Sequence, residues 1–175
     1  LKSDGLVLPG VGAFSHGMEN LKSYDLVDAI KEYAISDRPF MGICLGMQLL
    51  FEESEEFGET KGLGLILGKV VKLPTKDSQN EKLPHVSWNE LNSNKAPWEN
   101  TILTDIDEGS DMYFVHSFIA QPRDSDNILS TTEYSSHHFC SSVKKDNIYG
   151  CQFHPEKSGQ TGLKIINNFI RMCQT

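Results

Sequence analysis

The run PFMGICLGMQLL at residues 39–50 sets one cysteine, Cys44, where an apolar strand-like stretch breaks and a helical pattern begins. Gly42 and Gly46 lie two positions to either side. Such a spacing lets a chain turn sharply from strand to helix and leaves the middle side chain exposed, the arrangement of a nucleophile elbow. The helix start adds backbone N–H groups and positive potential. Both effects favour the thiolate, which is the reactive form of cysteine. The same residues also describe a buried cysteine in an ordinary strand-to-helix turn.

A second run, QFHPE at residues 152–156, follows a strand-like stretch far downstream. His154 is a base, and Glu156 can orient it. A cysteine, a histidine and a carboxylate brought together by folding form a triad in which the imidazole takes the thiol proton and the acid selects its tautomer. Pro155 prevents the strand from continuing as a regular ladder. One histidine near one glutamate at a strand end is ordinary structure; joined to the elbow, it reads as acyl-transfer chemistry.

These side chains need a scaffold, and its elements are legible. A strand at residues 6–8 ends at Pro9 and passes through the glycine-rich turn PGVG (9–12) into a helix with Met18, Leu21, Val27, Ile30 and Ala34 on one apolar face. Residues 39–43 read as a buried strand and 45–57 as a helix ending in Glu52, Glu53, Glu55 and Glu56. Alternating strand and helix predict a parallel sheet. After Gly62 the pattern turns to β, with strands expected at 65–73, 112–119, 128–133, 139–143 and 148–153 and a hairpin turn at Lys145, Asp146 and Asn147. Residues 75–81 are a polar loop. Residues 160–172 close the chain as an amphipathic helix, with Leu163, Ile166, Phe169 and Ile170 expected inward. Neither an internal repeat nor a low-complexity linker interrupts the pattern, so a single α/β domain over residues 1–175 is expected.

With 24 acidic against 16 basic residues and a net charge of −8, the chain lacks the basic footprint of a nucleic-acid binder. No apolar run approaches the roughly 18 residues that cross a bilayer, and no signal peptide is recognised. Cys44, Cys140, Cys151 and Cys173 show no close CxxC spacing and read as reduced thiols of a cytoplasmic protein. His16, His85, His137 and His138 have no ligand spacing, so no metal site is expected.

Together these runs resemble the class I, triad-type glutamine amidotransferases. Four passages carry the likeness: LPGVGAF (8–14) is similar to the family's oxyanion strand, GICLGMQLLFEESEE (42–56) to its nucleophile region, YFVHSF (113–118) to its glutamine-cradling strand and HPEKSG (154–159) to its base motif. PGVG together with HPEKS is similar in particular to the glutaminase subunits of imidazole glycerol phosphate synthases. The resemblance implies a flavodoxin-like, mostly parallel central sheet flanked by helices, with an additional antiparallel region. It implies a Cys44, His154, Glu156 triad that hydrolyses L-glutamine without a cofactor. An oxyanion hole would come from Leu45 with Val11 or Gly12, and Gly46, Gln48 and Glu56, with backbone around His116, Ser117 and Phe118, would hold the substrate. Trp88, Asn89 and Lys157 would face a partner, a HisF-type cyclase with a (β/α)₈ barrel that receives the ammonia.

Two departures stand beside the likeness. The family's first βα unit is expected to be missing, since the chain reaches PGVG almost at once. In HVSWNEL (85–91), Val86 and Ser87 stand where the biosynthetic subunits carry methionine and glycine. A related subunit for amidation of surface sugars, or a binding subunit without activity, are the alternatives.

Overall fold

The computed structural model describes residues 2–75, 82–95 and 97–174. Its first half runs β1 (Leu6–Gly10), α1 (Phe14–Ser23), α2 (Leu26–Ala34), β2 (Phe40–Cys44), α3 (Leu45–Leu49), β3 (Phe51–Ser54), β4 (Thr60–Lys61) and β5 (Ile66–Lys72). The second half runs β6 (His85–Glu90), β7 (Asn92–Ser93), β8 (Asp111–His116), β9 (Phe118–Pro122), β10 (Ile128–Tyr134), β11 (His137–Lys145), β12 (Ile148–Cys151) and α4 (Gly159–Met172). The main sheet has the order β1-β2-β12-β11-β9-β5-β3-β4, with β10 on β11 and β7 on β10; β6 and β8 pair separately.

The parallel centre is β2, flanked by β1 and β12, so that Gly42 faces Leu8 on one side and Gly150 on the other. All five residues of β2 and all four of β12 are buried, as expected of strands covered on both faces. Alternation sorts their side chains. Met41, Ile43, Tyr149 and Cys151 feed the core under α4 with Ile165 and Phe169. Phe40 and Ile148 feed the other core, with Phe14, Met18, Leu21 and Ile30 of α1 and α2. From β12 the sheet continues antiparallel through β11, β9 and β5. The hairpin at Lys145–Ile148 turns on Asp146, whose φ is 52°.

Four expectations are corrected. The helix predicted over 45–57 ends at Leu49, and Phe51–Ser54 is a strand. Leu63 N–H donates to Leu49 O, and Leu65 and Ile66 N–H donate to Leu50 O, so pairing with the following segment replaces the helical ladder. The single helix carrying Met18 to Ala34 is two, because Asp25 adopts a left-handed conformation with φ 53° between α1 and α2. The strand predicted over 112–119 divides at Ser117: β8 pairs with β6, whereas β9 joins the main sheet.

The last correction concerns α4, which buries Gly162, Ile165, Asn168 and Phe169, leaving Leu163 and Ile170 about half exposed. Asn168 Nδ2 donates to Ile102 O at 3.1 Å and Thr104 O at 2.7 Å, and a Cβ on Gly162 would lie 2.0 Å from Pro155 O. A polar anchor and a close backbone approach set the helix rotation, neither of which apolar periodicity records. Of the polar loop at 75–81, residues 76–81 lie outside the described residues.

Candidate active site

Cys44 ends β2 in a strained conformation, φ 52° and ψ −110°, and α3 begins at the next residue. The flanking glycines are required by close approach. A Cβ at Gly42 would meet Gly46 O at 2.6 Å, and one at Gly46 would meet Leu8 O at 1.7 Å. The thiol is buried and lies 3.8 Å from Val115 O of β8. Burial pushes it up to about 11, against the opposing effect of the Leu45 N–H. The expectation of a resting thiolate is corrected accordingly. A five-residue helix carries little dipole, and desolvation of the charged form outweighs it.

His154 emerges beyond the end of β12, the strand beside β2. Its Nδ1 donates to Glu156 Oε1 at 2.7 Å, which leaves Nε2 as the bare acceptor. That Nε2 is buried and has no hydrogen-bond partner. The backbone holds the residue in place: His154 N–H donates to Tyr113 O at 2.9 Å, and Ser158 Oγ donates to His154 O at 2.7 Å while accepting from Tyr113 N–H. Tyr113 and Val115 are two residues apart on β8, roughly 7 Å of strand. One strand therefore touches both the sulfur and the histidine backbone.

A cleft of about 240 Å³ opens over the sulfur. Val11, Gly12, Cys44, Leu45, Gln48, Glu56, Val115, His116, Ser117 and Phe118 line it, together with Pro84. Gly46 does not; it is packed on Leu8 O. Gly12 has φ 102°, and a Cβ built on it would meet nothing within 4 Å. Glu56 Oε2 accepts from Phe14 N–H at 2.7 Å at the start of α1. The other three acidic residues are not a solvated helix face. Glu52 accepts from Gly68 N–H and pairs with Arg123, Glu53 pairs with Lys61, and Glu55 accepts from Lys72 N–H.

Trp88 is half exposed over Tyr113, with ring centroids 5.9 Å apart, on the outer face of β6 and β8. Asn89 points the other way, donating from Nδ2 to Glu133 O. Lys157 is exposed beside Glu156, and its charge reaches Cys44. Among the described residues no three His, Cys, Asp or Glu side chains gather to hold a metal, and no helix is long and apolar enough to cross a membrane.

Residues 2–173 match the family described as glutamine amidotransferase class-I. The imidazole glycerol phosphate synthase subunit HisH 1 of Legionella pneumophila (strain Lens) is 48% identical, over 98% of this chain and 83% of its own. The HisH subunit of Aquifex aeolicus (strain VF5) is 46% identical, over 99% and 80%. The chain belongs to the class-I glutamine amidotransferases, in the group of HisH subunits. Two solved structures share its fold. One is a glutamine amidotransferase with a TM-score of 0.69 at 15% identity, over 98% of this chain and 80% of that one. The other is a glutamine amidotransferase of Thermotoga maritima with a TM-score of 0.63 at 16% identity, over 98% and 64%.

Two features of this amidotransferase were not read from sequence. Gln152, fully buried, donates from Nε2 toward Cys44 Sγ at 3.8 Å; its position beside the proline-broken strand end was the only available signal. The rings of His116 and His85 also form a buried pair, His85 Nδ1 to His116 Nε2 at 3.0 Å, with His116 Nδ1 donating to Phe118 O at 3.0 Å and Ser87 Oγ against His85 Nε2 at 2.9 Å. Ser87, one of the two residues by which HVSWNEL departs from the biosynthetic subunits, is thus a partner of this pair.

Burial pushes His116 down to about 3, with His85 acting in the same direction. An unfolded histidine titrates near 6.5. Between those values the unfolded chain binds a proton that the folded one refuses, so stability is complete above about pH 6.5 and declines as pH falls, by about 1.4 kcal/mol per unit from this group. Urea unfolding from pH 7 to 4 is expected to give a steeper decline in the unmodified amidotransferase than in His116→Gln. Parallel profiles would contradict the assignment.

Proposed function

We propose that this chain is the glutaminase subunit of an imidazole glycerol phosphate synthase, hydrolysing L-glutamine through Cys44, His154 and Glu156 and passing ammonia to a cyclase subunit. The observation that carries this is the buried, unpartnered Nε2 of His154, held in the basic tautomer by Glu156, in a residue whose backbone is tied to β8, the strand that touches the thiol. A thiol raised to about 11 needs such a base. The names carried by relatives at 46–48% identity support the histidine-pathway assignment over sugar amidation.

In the reaction, His154 Nε2 takes the Cys44 proton as sulfur attacks the substrate's side-chain carboxamide. The tetrahedral oxyanion is met by Leu45 N–H and by a peptide N–H of Val11 or Gly12, each such donor worth on the order of 3 kcal/mol. His154 then protonates the departing nitrogen, so ammonia leaves and a glutamyl thioester remains. Water, deprotonated by His154 Nε2, attacks the thioester; the C–S bond breaks, the same imidazole returns the proton to the sulfur, and glutamate leaves. Glu56, which lines the cleft, receives the substrate ammonium, and the backbone at residues 116–118 holds the substrate's other polar groups. Trp88 and Lys157 belong to the face that meets the cyclase.

Glutamate release from glutamine tests the reading. Turnover is expected to be low for the chain alone and at least about tenfold higher with the cyclase subunit and its ligand, a coupling of ordinary allosteric size. Equal turnover with and without the cyclase contradicts an activating partner, and no release in either state overturns the enzyme assignment.

A further inference from the structure

Beyond the three residues of the proposed triad, the thiol has a side-chain neighbour whose orientation the fold dictates. Phe118 O, at the start of β9, can only accept, so the Gln48 atom 3.0 Å from it is the nitrogen. That same Gln48 nitrogen lies 3.0 Å from the Gln152 amide and therefore faces its oxygen. The Gln152 nitrogen is left pointing at Cys44 Sγ, 3.8 Å away. A flipped Gln152 would set nitrogen against nitrogen. One backbone carbonyl thus determines, through two buried amides, that a donor and not an acceptor is presented to the sulfur.

The register explains why Gln152 is there. Cys151 is opposite Ile43 in the parallel pair β12–β2, so the next residue on each strand brings Gln152 beside Cys44. As a thiol, Cys44 can give its proton to Val115 O; as a thiolate that contact has no proton left, and among the described residues Leu45 N–H and the Gln152 amide are the neutral donors found at the sulfur, apart from the His154 imidazolium formed in turnover. We propose that Gln152 is the neutral side-chain donor that stabilises the charged form of Cys44, and that Gln48 is the positioning residue that keeps Gln152 from flipping. The assignment deepens the proposed glutaminase reading and rests on it for its role in turnover. It also narrows what Gln48 can offer a substrate: both N–H groups of its amide are committed to the protein, leaving its oxygen as an acceptor.

Other charged or titratable groups surround the site. Glu156 and Lys157, whose charges reach Cys44, follow β12 together with His154, and His116 of β8 and Glu56 line the cleft. Glu156 opposes the thiolate and Lys157 favours it. None of them is altered by replacing Gln152, so a change in sulfur reactivity reports the amide.

Alkylation by iodoacetamide, without glutamine, measures this directly. The rate at Cys44 is followed by peptide mass mapping from pH 7 to 9, since Cys140, Cys151 and Cys173 are also free thiols. Gln152→Met is expected to displace the pH profile upward by about one unit, slowing Cys44 alkylation about tenfold at each pH, the size a hydrogen bond to a charged group supports. Gln48→Met is expected to shift it in the same direction by less. If Gln152→Met does not fold, Gln152→Leu, which also lacks a donor and adds no charge, is read in its place. A folded variant whose alkylation profile coincides with that of the unmodified protein overturns the proposal, because a packing role would lower the melting temperature alone. The readout requires no turnover. Absence of glutamate release would sink the glutaminase reading while leaving this measurement able to succeed or fail by itself.

Discussion

Cys44→Ala protein is expected to release no glutamate from glutamine even in complex with the cyclase, a loss of at least roughly 10⁴-fold, because the covalent route through the thioester is closed. Its melting temperature should stay within a few degrees of the unmodified protein's. Alanine tolerates φ 52° no worse than cysteine does, and the side-chain hydrogen bonds of the sulfur to Val115 O and Gln152 Nε2 are long, 3.8 Å each. Glu156→Gln should retain measurable activity, reduced about 100-fold or more. The amide can donate to His154 Nδ1 and so stabilise the tautomer whose bare nitrogen is turned away from the thiol. Measured rates for the two variants beside His154→Ala check the assignment. Full activity in Cys44→Ala would end it.

Gly46→Ala should be the most damaging single methyl group in the chain. Its Cβ would sit 1.7 Å from Leu8 O, a backbone atom of β1 that pairs with β2 and cannot rotate away as a side-chain tip could. Separating α3 from β1 also disturbs Gly10, whose α-carbon already packs closely on Leu45. The cost is expected to be about 3 kcal/mol or more, which for a domain of this size lowers the melting temperature by about 6–12 °C. Gly64→Ala is the control: φ is 68° but the surroundings are open, so the loss should be only about 1 kcal/mol. Thermal melts of the two variants make the comparison. Equal losses would mean that the backbone around α3 and β1 relaxes to admit the methyl group, against the contact argument.

The chemistry was readable from the chain because it depends on local rules. A glycine-flanked cysteine between strand and helix, and a histidine and glutamate held by a proline at a strand end, declare their geometry within a few residues. That the strands around β2 run parallel follows from the alternation of strand and helix; their order does not. Where sequence reasoning failed, a long-range contact had overruled a local preference. The acidic run after Leu49 has helical periodicity, but partners at residues 60–66 and 68 and at Arg123 draw it into a strand. Ile170 and Leu163 look like core residues, but Asn168 has two carbonyls to satisfy, and the helix turns to reach them.

At the site the division is the same. Cys44 and His154 could be picked out by residue type, yet what places them at the ends of neighbouring strands is the Cys151–Ile43 register, with β8 touching the sulfur of one and the backbone of the other, and pairings between residues so distant in the chain leave no periodic trace in it. The acidity of the thiol depends on how much water the folded protein excludes, a sum over the whole environment, and so the helix start that argued for a thiolate was outweighed by burial. The orientation of Gln152 is set at Phe118 O, two hydrogen bonds away. Backbone sterics act between neighbours and are written in the residues themselves; desolvation and hydrogen-bond direction arise only once remote segments are packed together.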